Sequence, residues 1–465
     1  MLRGCSNLSS DCEVTRRIAH MIQDIHDRDV DPEVAAAAVR VAARHRSKDL
    51  VETLIAYLPF SENDAVLEEI RIALKSHAKK EGKADPLLVA ALADRSAIRR
   101  ATAGEVLVQV AFADYKEVLR KLLGDGDALV RYKVARAMVF AQQKDAIPTL
   151  IDSISDLPLN SAWQAEDLLL KLASGGPAPT SAMGNDRAIR DKCKAAWQDW
   201  WKKHQAKIEL TKLEDSPKLL GRTLIVLLDQ NSVVDLGVDN SPRMEIKGLV
   251  YPLDAQLIDD DRVLIAEYHA NRVTERNARG EVVWQKAGIA GPQVAQRLPN
   301  GNTFIATAYK LLEFDKNDNT VLDISISDDG QQKIMKAMKL DNGEIVCMQV
   351  DGRIVRYDSR GTLLHSFPIP IGTRLFGGRI QMLLGGRVLV PHHGEGKVVE
   401  YDGQGKIVWE VPFDSPIAAT RLPNGNTLIT SMNPWVGAVE VDRAGTHLWS
   451  YQHASNTRVT RAIRH

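Results

Sequence analysis

From residue 222 onward, apolar and polar positions alternate in short runs, the period-two pattern of strands with one face in a core. Six runs fill one recurring slot: Arg222-Thr-Leu-Ile-Val226, Arg262-Val-Leu-Ile-Ala266, Asn302-Thr-Phe-Ile-Ala306, Glu344-Ile-Val-Cys347, Arg387-Val-Leu-Val390 and Asn426-Thr-Leu-Ile-Thr430. Their starts are 40, 40, 42, 43 and 39 residues apart. Two follow near-identical turns, Arg297-Leu-Pro-Asn-Gly-Asn-Thr303 and Arg421-Leu-Pro-Asn-Gly-Asn-Thr427. Asn-Gly between apolar runs predicts a hairpin with a type I′ turn, which needs positive φ at both central residues. The second half of the unit repeats too: Val398-Val-Glu-Tyr-Asp402 and Gly405-Lys-Ile-Val-Trp409 match Ala438-Val-Glu-Val-Asp442 and Gly445-Thr-His-Leu-Trp449. Each unit therefore reads as four antiparallel strands, with the Trp packed between neighbouring units.

A period near 40 with four short strands predicts the blades of a β-propeller. One more period from residue 426 falls at about 466, just past the last residue. The tail Arg458-Val-Thr-Arg-Ala-Ile-Arg464 matches Ile417-Ala-Ala-Thr-Arg-Leu422 as an innermost strand, and its missing outer strands stand at residues 222–247. The expectation is six blades, the last built from both ends of the domain, which leaves no open sheet edge.

Before residue 174 the pattern changes to apolar residues three and four apart, the mark of helices. Val34, Val66, Ile98 and Val130 recur at a step of 32, each opening an Ala-rich helix: Ala35 to Ala43, Leu67 to Leu74, Arg99 to Val110 and Arg131 to Ala141. Shorter amphipathic helices lie between them, at Asp49 to Leu58, Asp85 to Leu92, Tyr115 to Leu123 and Ala146 to Ile154. Asp31 before Pro32 reads as an N-cap with a first-turn proline. Helix pairs at this period predict an α-solenoid of about five pairs. The expected domains are a solenoid at 1–174, a Pro/Gly loop at 175–185, a Trp-rich capping helix at 186–210 carrying Trp197, Trp200 and Trp201, a linker at 211–220, and the propeller at 221–465.

At 465 residues the chain exceeds what one core serves, which fits two domains. Sixty basic and sixty acidic residues give zero net charge, which argues against a nucleic-acid binder. No apolar run approaches the roughly 18 residues of a membrane span, and no signal peptide is visible, so a soluble protein of cytoplasm or periplasm is expected. Cys5, Cys12, Cys193 and Cys347 are scattered and read as unpaired thiols.

The chain carries no G-x-S-x-G, H-E-x-x-H, G-x-x-x-x-G-K-[ST], G-x-G-x-x-G or EF-hand pattern, and neither a cofactor nor a metal is expected. The tight turns all leave one face of the disc, so binding is expected among the longer loops of the other face. Those loops hold His269, Tyr309, His392, His393, Trp435 and His453, with Arg379 and Arg458 expected near the channel. Histidine suits proton transfer or group transfer near neutral pH. If their stretch is extended, His392 and His393 point to opposite faces and cannot share one site. Should two of the rim histidines converge beside a channel arginine, transfer chemistry becomes the reading.

Asp94 with Arg99, and Asp127 with Arg131, stand where HEAT repeats place their turn Asp and helix Arg, so the N-terminal half resembles a HEAT array. The Asp-x-x-Gly-x-x-x-Trp ending resembles pyrroloquinoline-quinone-type propellers. The Leu-Pro-Asn-Gly-Asn-Thr turn in six blades resembles arylsulfotransferase-like propellers, a likeness that implies sulfuryl transfer by a channel histidine. The whole combination resembles bacterial two-domain proteins named for their repeats. The preferred expectation is a non-enzymatic scaffold that uses solenoid and propeller surfaces for protein partners; the alternative is a propeller-based enzyme or small-ligand binder with a histidine-lined site on the variable-loop face, and a small ligand at the propeller channel.

Overall fold

The computed structural model describes residues 32–173 and 186–465 apart from 45–48, 62–63, 81, 211–212, 214–220, 238, 260, 327–329 and 371, together with 178–179 and 183. The expectations for Cys5, Cys12 and Asp31, and most of those for the Pro/Gly loop and the linker, lie outside the described residues. Two compact units emerge, one made of Met1–Leu172 with Trp197–Asp215 and the other of Ala173–Ala196 with Ser216–His465.

The first unit is helical. Helices at Pro32–Arg44, Leu50–Tyr57, Asp64–Ser76, Pro86–Ala91, Ala128–Phe140 and Ile147–Ser153 stand within a few residues of their predicted places, and Leu159–Leu172 follows them. The two helices expected at 99–110 and 115–123 follow one another directly within Ala97–Lys121, separated at Ala111, whose backbone (φ −149°, ψ 31°) is not helical. A small hairpin, Lys79–Lys80 with Lys83–Ala84, has no counterpart in the pattern. Each turn is tied to the next by an arginine. Arg100 grips Asp125 with two 2.8 Å bonds and the Asp94 carbonyl with a third. One repeat on, Arg131 donates to the Asp125 carbonyl and to Asp156. The Arg100 hydrogen bonds hold the Asp125 carboxyl below its usual range. Asp127 does not pair with Arg131; it caps the helix by accepting from Leu129 and Val130. In the helix Arg187–His204, Trp197 is fully buried and meets Trp200 edge-on at 5.3 Å.

The second unit is a six-bladed β-propeller, each blade four antiparallel strands. Blade 1 joins Val459–Arg464 to Thr223–Leu227, Ser232–Leu236 and Pro242–Ile246, so both ends of the domain share a sheet. Blades 2 to 6 begin at Pro252, Val294, Ile334, Gln381 and Pro416. The Asn-Gly turns differ from expectation. Gly301 (φ +87°) and Gly425 (φ +90°) are left-handed, but their preceding asparagines are not. Gly301 N–H closes a four-residue turn onto the Leu298 carbonyl, while Asn300 accepts from Asn302 N–H. The proline favours this type I turn followed by a left-handed glycine, so only one residue needs positive φ.

Neighbouring blades are held by a repeated clamp built from those same sequence motifs. The last residue of an innermost strand reaches a glutamate on the third strand of the preceding blade and lies over the Trp of its fourth. Arg297 meets Glu275 at 2.6 Å, over Trp284; Arg421 meets Glu400 at 2.9 Å, over Trp409. Arg464 meets Glu440 at 2.5 Å, over Trp449, and its other nitrogen donates to Thr223 at 2.6 Å. Between blades 3 and 4, Lys339 pairs with Glu313 in the same role. Glutamines add a second tie: Gln256 binds the backbone N–H and C=O of Arg297, and Gln296 those of Lys339.

Glu400 is the most heavily charged junction, with Arg387, Arg421 and Arg443 all on its carboxylate. Burial raises its pKa, but the three guanidinium groups outweigh that and hold it down to about 2. A carboxyl depressed from 4.5 contributes stability above pH 4.5 that is lost as pH falls through about 2. Glu400→Gln is expected to cost about 3–5 kcal/mol at pH 7, by stranding buried arginines. Urea unfolding should show the difference from the parent narrowing as pH drops from 4.5 to 2.

Candidate functional site

The hairpin turns that join first to second and third to fourth strands are tight and crowd one face of the disc. The opposite face carries the connections of second to third strands and of blade to blade. The longest of these, residues 369–380 between blades 4 and 5, runs through the middle of the ring. Gly377 N–H donates to the Met335 carbonyl of blade 4. A Cβ on Gly378 (φ +70°) would stand 2.1 Å from the Ile417 carbonyl of blade 6, so the crossing needs glycine. Arg379 then binds Asp254 of blade 2 at 2.7 Å and the Ala295 carbonyl of blade 3 at 2.8 Å. The segment thus packs against the inner strands of four other blades and fills the centre. The innermost strand of blade 5 is correspondingly short, Gln381–Met382.

Arg379 stands near the channel as expected, but its guanidinium is buried and engaged with Asp254, so it is not available to hold an anion beside the histidines. Arg461 faces the other Asp254 oxygen at 3.8 Å, and burial, with Arg379 nearby, pushes its guanidinium down to about 10. Arg458 is half-buried and forms a bidentate pair with Asp229 at the rim. His269 packs on Tyr251 (4.3 Å between ring centres) and Tyr268 (5.1 Å). Tyr251 itself is left-handed (φ +55°), matching Gly291 (φ +57°) one blade on. His453 is half-buried and accepts from the Ser455 N–H to fix its own turn. Tyr309 is exposed, its backbone held by Thr307. These histidines do not converge.

His392 and His393 do share a site. The second strand of blade 5 ends at His392, and His393–Glu395 forms a 3-10 turn, so the alternation expected of an extended pair stops between them. Both line a recess of about 10 Å³, room for about one water, with Glu395, Thr373, Met335, Met348, Leu375, Pro391 and Lys336. His392 is buried and hydrogen-bonded to the Tyr401 hydroxyl at 2.8 Å, and burial lowers its pKa to about 4, leaving it neutral. His393 has a buried Nδ1 with no partner. Lys336 is fully buried and its ammonium form is destabilised to a pKa of about 7. Sequence reasoning missed Lys336. Aligning blades on the innermost strand would have found it, because it occupies the position of Asp254 and Arg461. Among the described residues, no group of three His, Cys, Asp or Glu side chains is placed to hold a metal ion, and no helix is long and apolar enough to cross a membrane.

Comparisons with known proteins agree with the two halves. A HEAT-repeat model matches residues 18–108 and 84–162, and a PQQ-type model described as outer membrane protein assembly factor BamB matches residues 350–464. HEAT repeats followed by a six-bladed propeller are therefore the organisation of the chain. No curated protein matches it. Similar solved structures include a protein of unknown function from Bacteroides caccae, with 15% identity over 52% of this chain and 97% of that one and a TM-score of 0.44. A streptogramin B lyase (13% identity, 53% of this chain and 86% of that one, TM-score 0.38) and the virginiamycin B lyase of Staphylococcus aureus (13%, 52% and 86%, 0.38) are also similar.

Lys336 gives a pH test of the recess. Between about pH 7 and its ordinary 10.5 it is neutral in the folded chain and charged in the unfolded one. The unfolded state binds more protons there, so this residue makes stability rise with pH across that window. Melting temperatures of the parent and Lys336→Met should therefore shift in favour of the parent as pH goes from 7 to 10. A pH-independent difference would mean that the amine is charged when buried.

Proposed function

We propose that the chain is a binding scaffold whose propeller presents its variable-loop face to a protein partner. Tandem helix pairs and closed propellers are both rigid platforms for such contacts. The observation that carries the reading is Trp435, which is 66% exposed at a loop tip that is not loose. Its N–H donates to Asn433, Asn433 donates to Asp414, and Ser431 ties the loop base to the Asp414 carbonyl. A large indole held in water by a preorganised loop supplies contact area without an ordering cost on binding, the property of an interface anchor. Tyr309, on the loop of another blade of the same face, adds a second exposed aromatic.

The balanced charge of the chain fits a protein partner better than a nucleic acid. A capture experiment from the native host tests the reading. A partner recovered reciprocally should bind Trp435→Ala at least about 30-fold more weakly, the loss of a hot spot worth about 2 kcal/mol. Equal affinity of parent and variant, or turnover of a substrate with no partner recovered, would overturn it.

A further inference from the structure

Among the described residues the clamp between blades is missing at two of the six junctions, and those two stand opposite each other on the ring. Matched by cross-strand partner, Arg464, Arg297, Lys339 and Arg421 hold one position, facing Thr223, Thr303, Ile345 and Thr427. In blades 2 and 5 that position is held by Leu257, facing Val263, and Met382, facing Val388. The groups they would meet are engaged elsewhere. Between blades 1 and 2, Asp235 pairs with His465 of its own blade at 2.7 Å. Between blades 4 and 5, Arg356 replaces the glutamate and pairs with Glu344 of its own blade.

The second tie fails at the same two places. Gln256, Gln296 and Gln381 accept from a backbone N–H of the next blade, and Thr420 accepts from Arg461 at 2.9 Å. Ile463 stands in that position in blade 1 and has no polar side-chain atom. Met338 stands there in blade 4 and offers only a thioether, a weak acceptor, 3.0 Å from Met382 N. Thr460 reaches the Pro252 carbonyl between blades 1 and 2 at 3.4 Å, and Arg461 stands 3.8 Å from Asp254, beyond hydrogen-bond distance. Between blades 4 and 5, His365 meets the Gly403 carbonyl at 2.7 Å. None of these contacts joins a guanidinium plane to a carboxylate, so none fixes an angle as the clamp does.

Junctions 1/2 and 4/5 lie at the two ends of one diameter. Blades 2, 3 and 4 form one clamped group, and blades 5, 6 and 1 form the other. We propose that the propeller is hinged along this diameter and that its two halves tilt against each other as rigid bodies. The crossing segment fits the division. Its bonds to Met335, Asp254 and Ala295 all go to blades 2 to 4, so the central filling stays with that half. Tilting changes the distance between Tyr309 on blade 3 and Trp435 on blade 6, so a partner covering both selects one angle. That consequence rests on the docking reading above; the hinge does not.

Spin labels on three equivalent loops of the full chain read the hinge. Gln230→Cys, Tyr309→Cys and Glu395→Cys, all at exposed positions on blades 1, 3 and 5, are combined two at a time. The background carries Cys5→Ser and Cys12→Ser, while Cys193 and Cys347 are buried. Every pair is two blades apart, but only 230–395 lies within one half. Pulsed electron double resonance should give a distance distribution for 230–309 and for 309–395 about twofold broader than for 230–395. Leu257→Arg sets a guanidinium opposite Asp235 and should narrow both broad distributions, including the one that crosses the far junction. Equal widths for the three pairs in the parent would overturn the hinge, whether or not that variant folds. Narrowing of 230–309 alone would overturn the rigid halves, and narrowing of neither would overturn the missing clamp as the cause.

Discussion

The propeller depends on one interaction repeated at four junctions of the ring: a cation at the end of an innermost strand, held by a glutamate of the blade before it and, at three of the four, by that blade's Trp. A blade is one supersecondary unit that cannot bury its apolar face alone. Its faces are apolar and must be covered by neighbours, which fixes spacing but not angle. The Arg–Glu–Trp clamp supplies the missing orientation, because a guanidinium must meet its carboxylate in plane and its indole face-on. Burial makes the clamp consequential in both directions. Paired and hydrogen-bonded, Glu400 with its three arginines is tolerated in the interior; with one partner removed, the remaining charges are stranded. At the last junction the clamp joins Arg464 to Glu440 and Thr223, so the same device that spaces the blades also shuts the ring.

Filling the centre has consequences for function. Gly377 and Gly378 let the backbone cross where no side chain would fit, and Arg379 anchors the crossing on Asp254. A channel sealed in this way leaves chemistry to the rim and to the recess beside the crossing. The rim residues are satisfied by local contacts: Arg458 with Asp229 and Tyr251, His269 with Tyr251 and Tyr268, His453 with its own turn. What the rim presents outward is aromatic surface, from Tyr309 and Trp435.

Much of the architecture was legible because it follows from repetition. The 40-residue period, the Asn-Gly turns and the match between Arg458–Arg464 and Ile417–Leu422 gave blade number, strand order and closure. The 32-residue step gave the helix pairs, among them the two that are separated at Ala111. The type I′ turn was misread because Asn-Gly was weighed without the preceding proline. Site geometry was less legible for a different reason. Whether His392 and His393 share a pocket depends on where one strand stops, and the fate of Arg379 depends on an acid 125 residues away. Neither is encoded in a local pattern. The clamp lay in between: its Arg, Glu and Trp were visible as repeated letters, but their meeting is a contact between adjacent blades.

Hydrogen exchange on a chain ending at Asn456 probes ring closure most directly. Removing the innermost strand of blade 1 takes away both the backbone partners of Thr223–Leu227 and the Arg464 clamp on Glu440. The expected result is loss of protection throughout Thr223–Leu227, spreading to the third strand of blade 6 around Glu440, while blades 3 and 4 stay protected longest. Unchanged protection of Thr223–Leu227 in the shortened chain would contradict a ring shut by its own two ends.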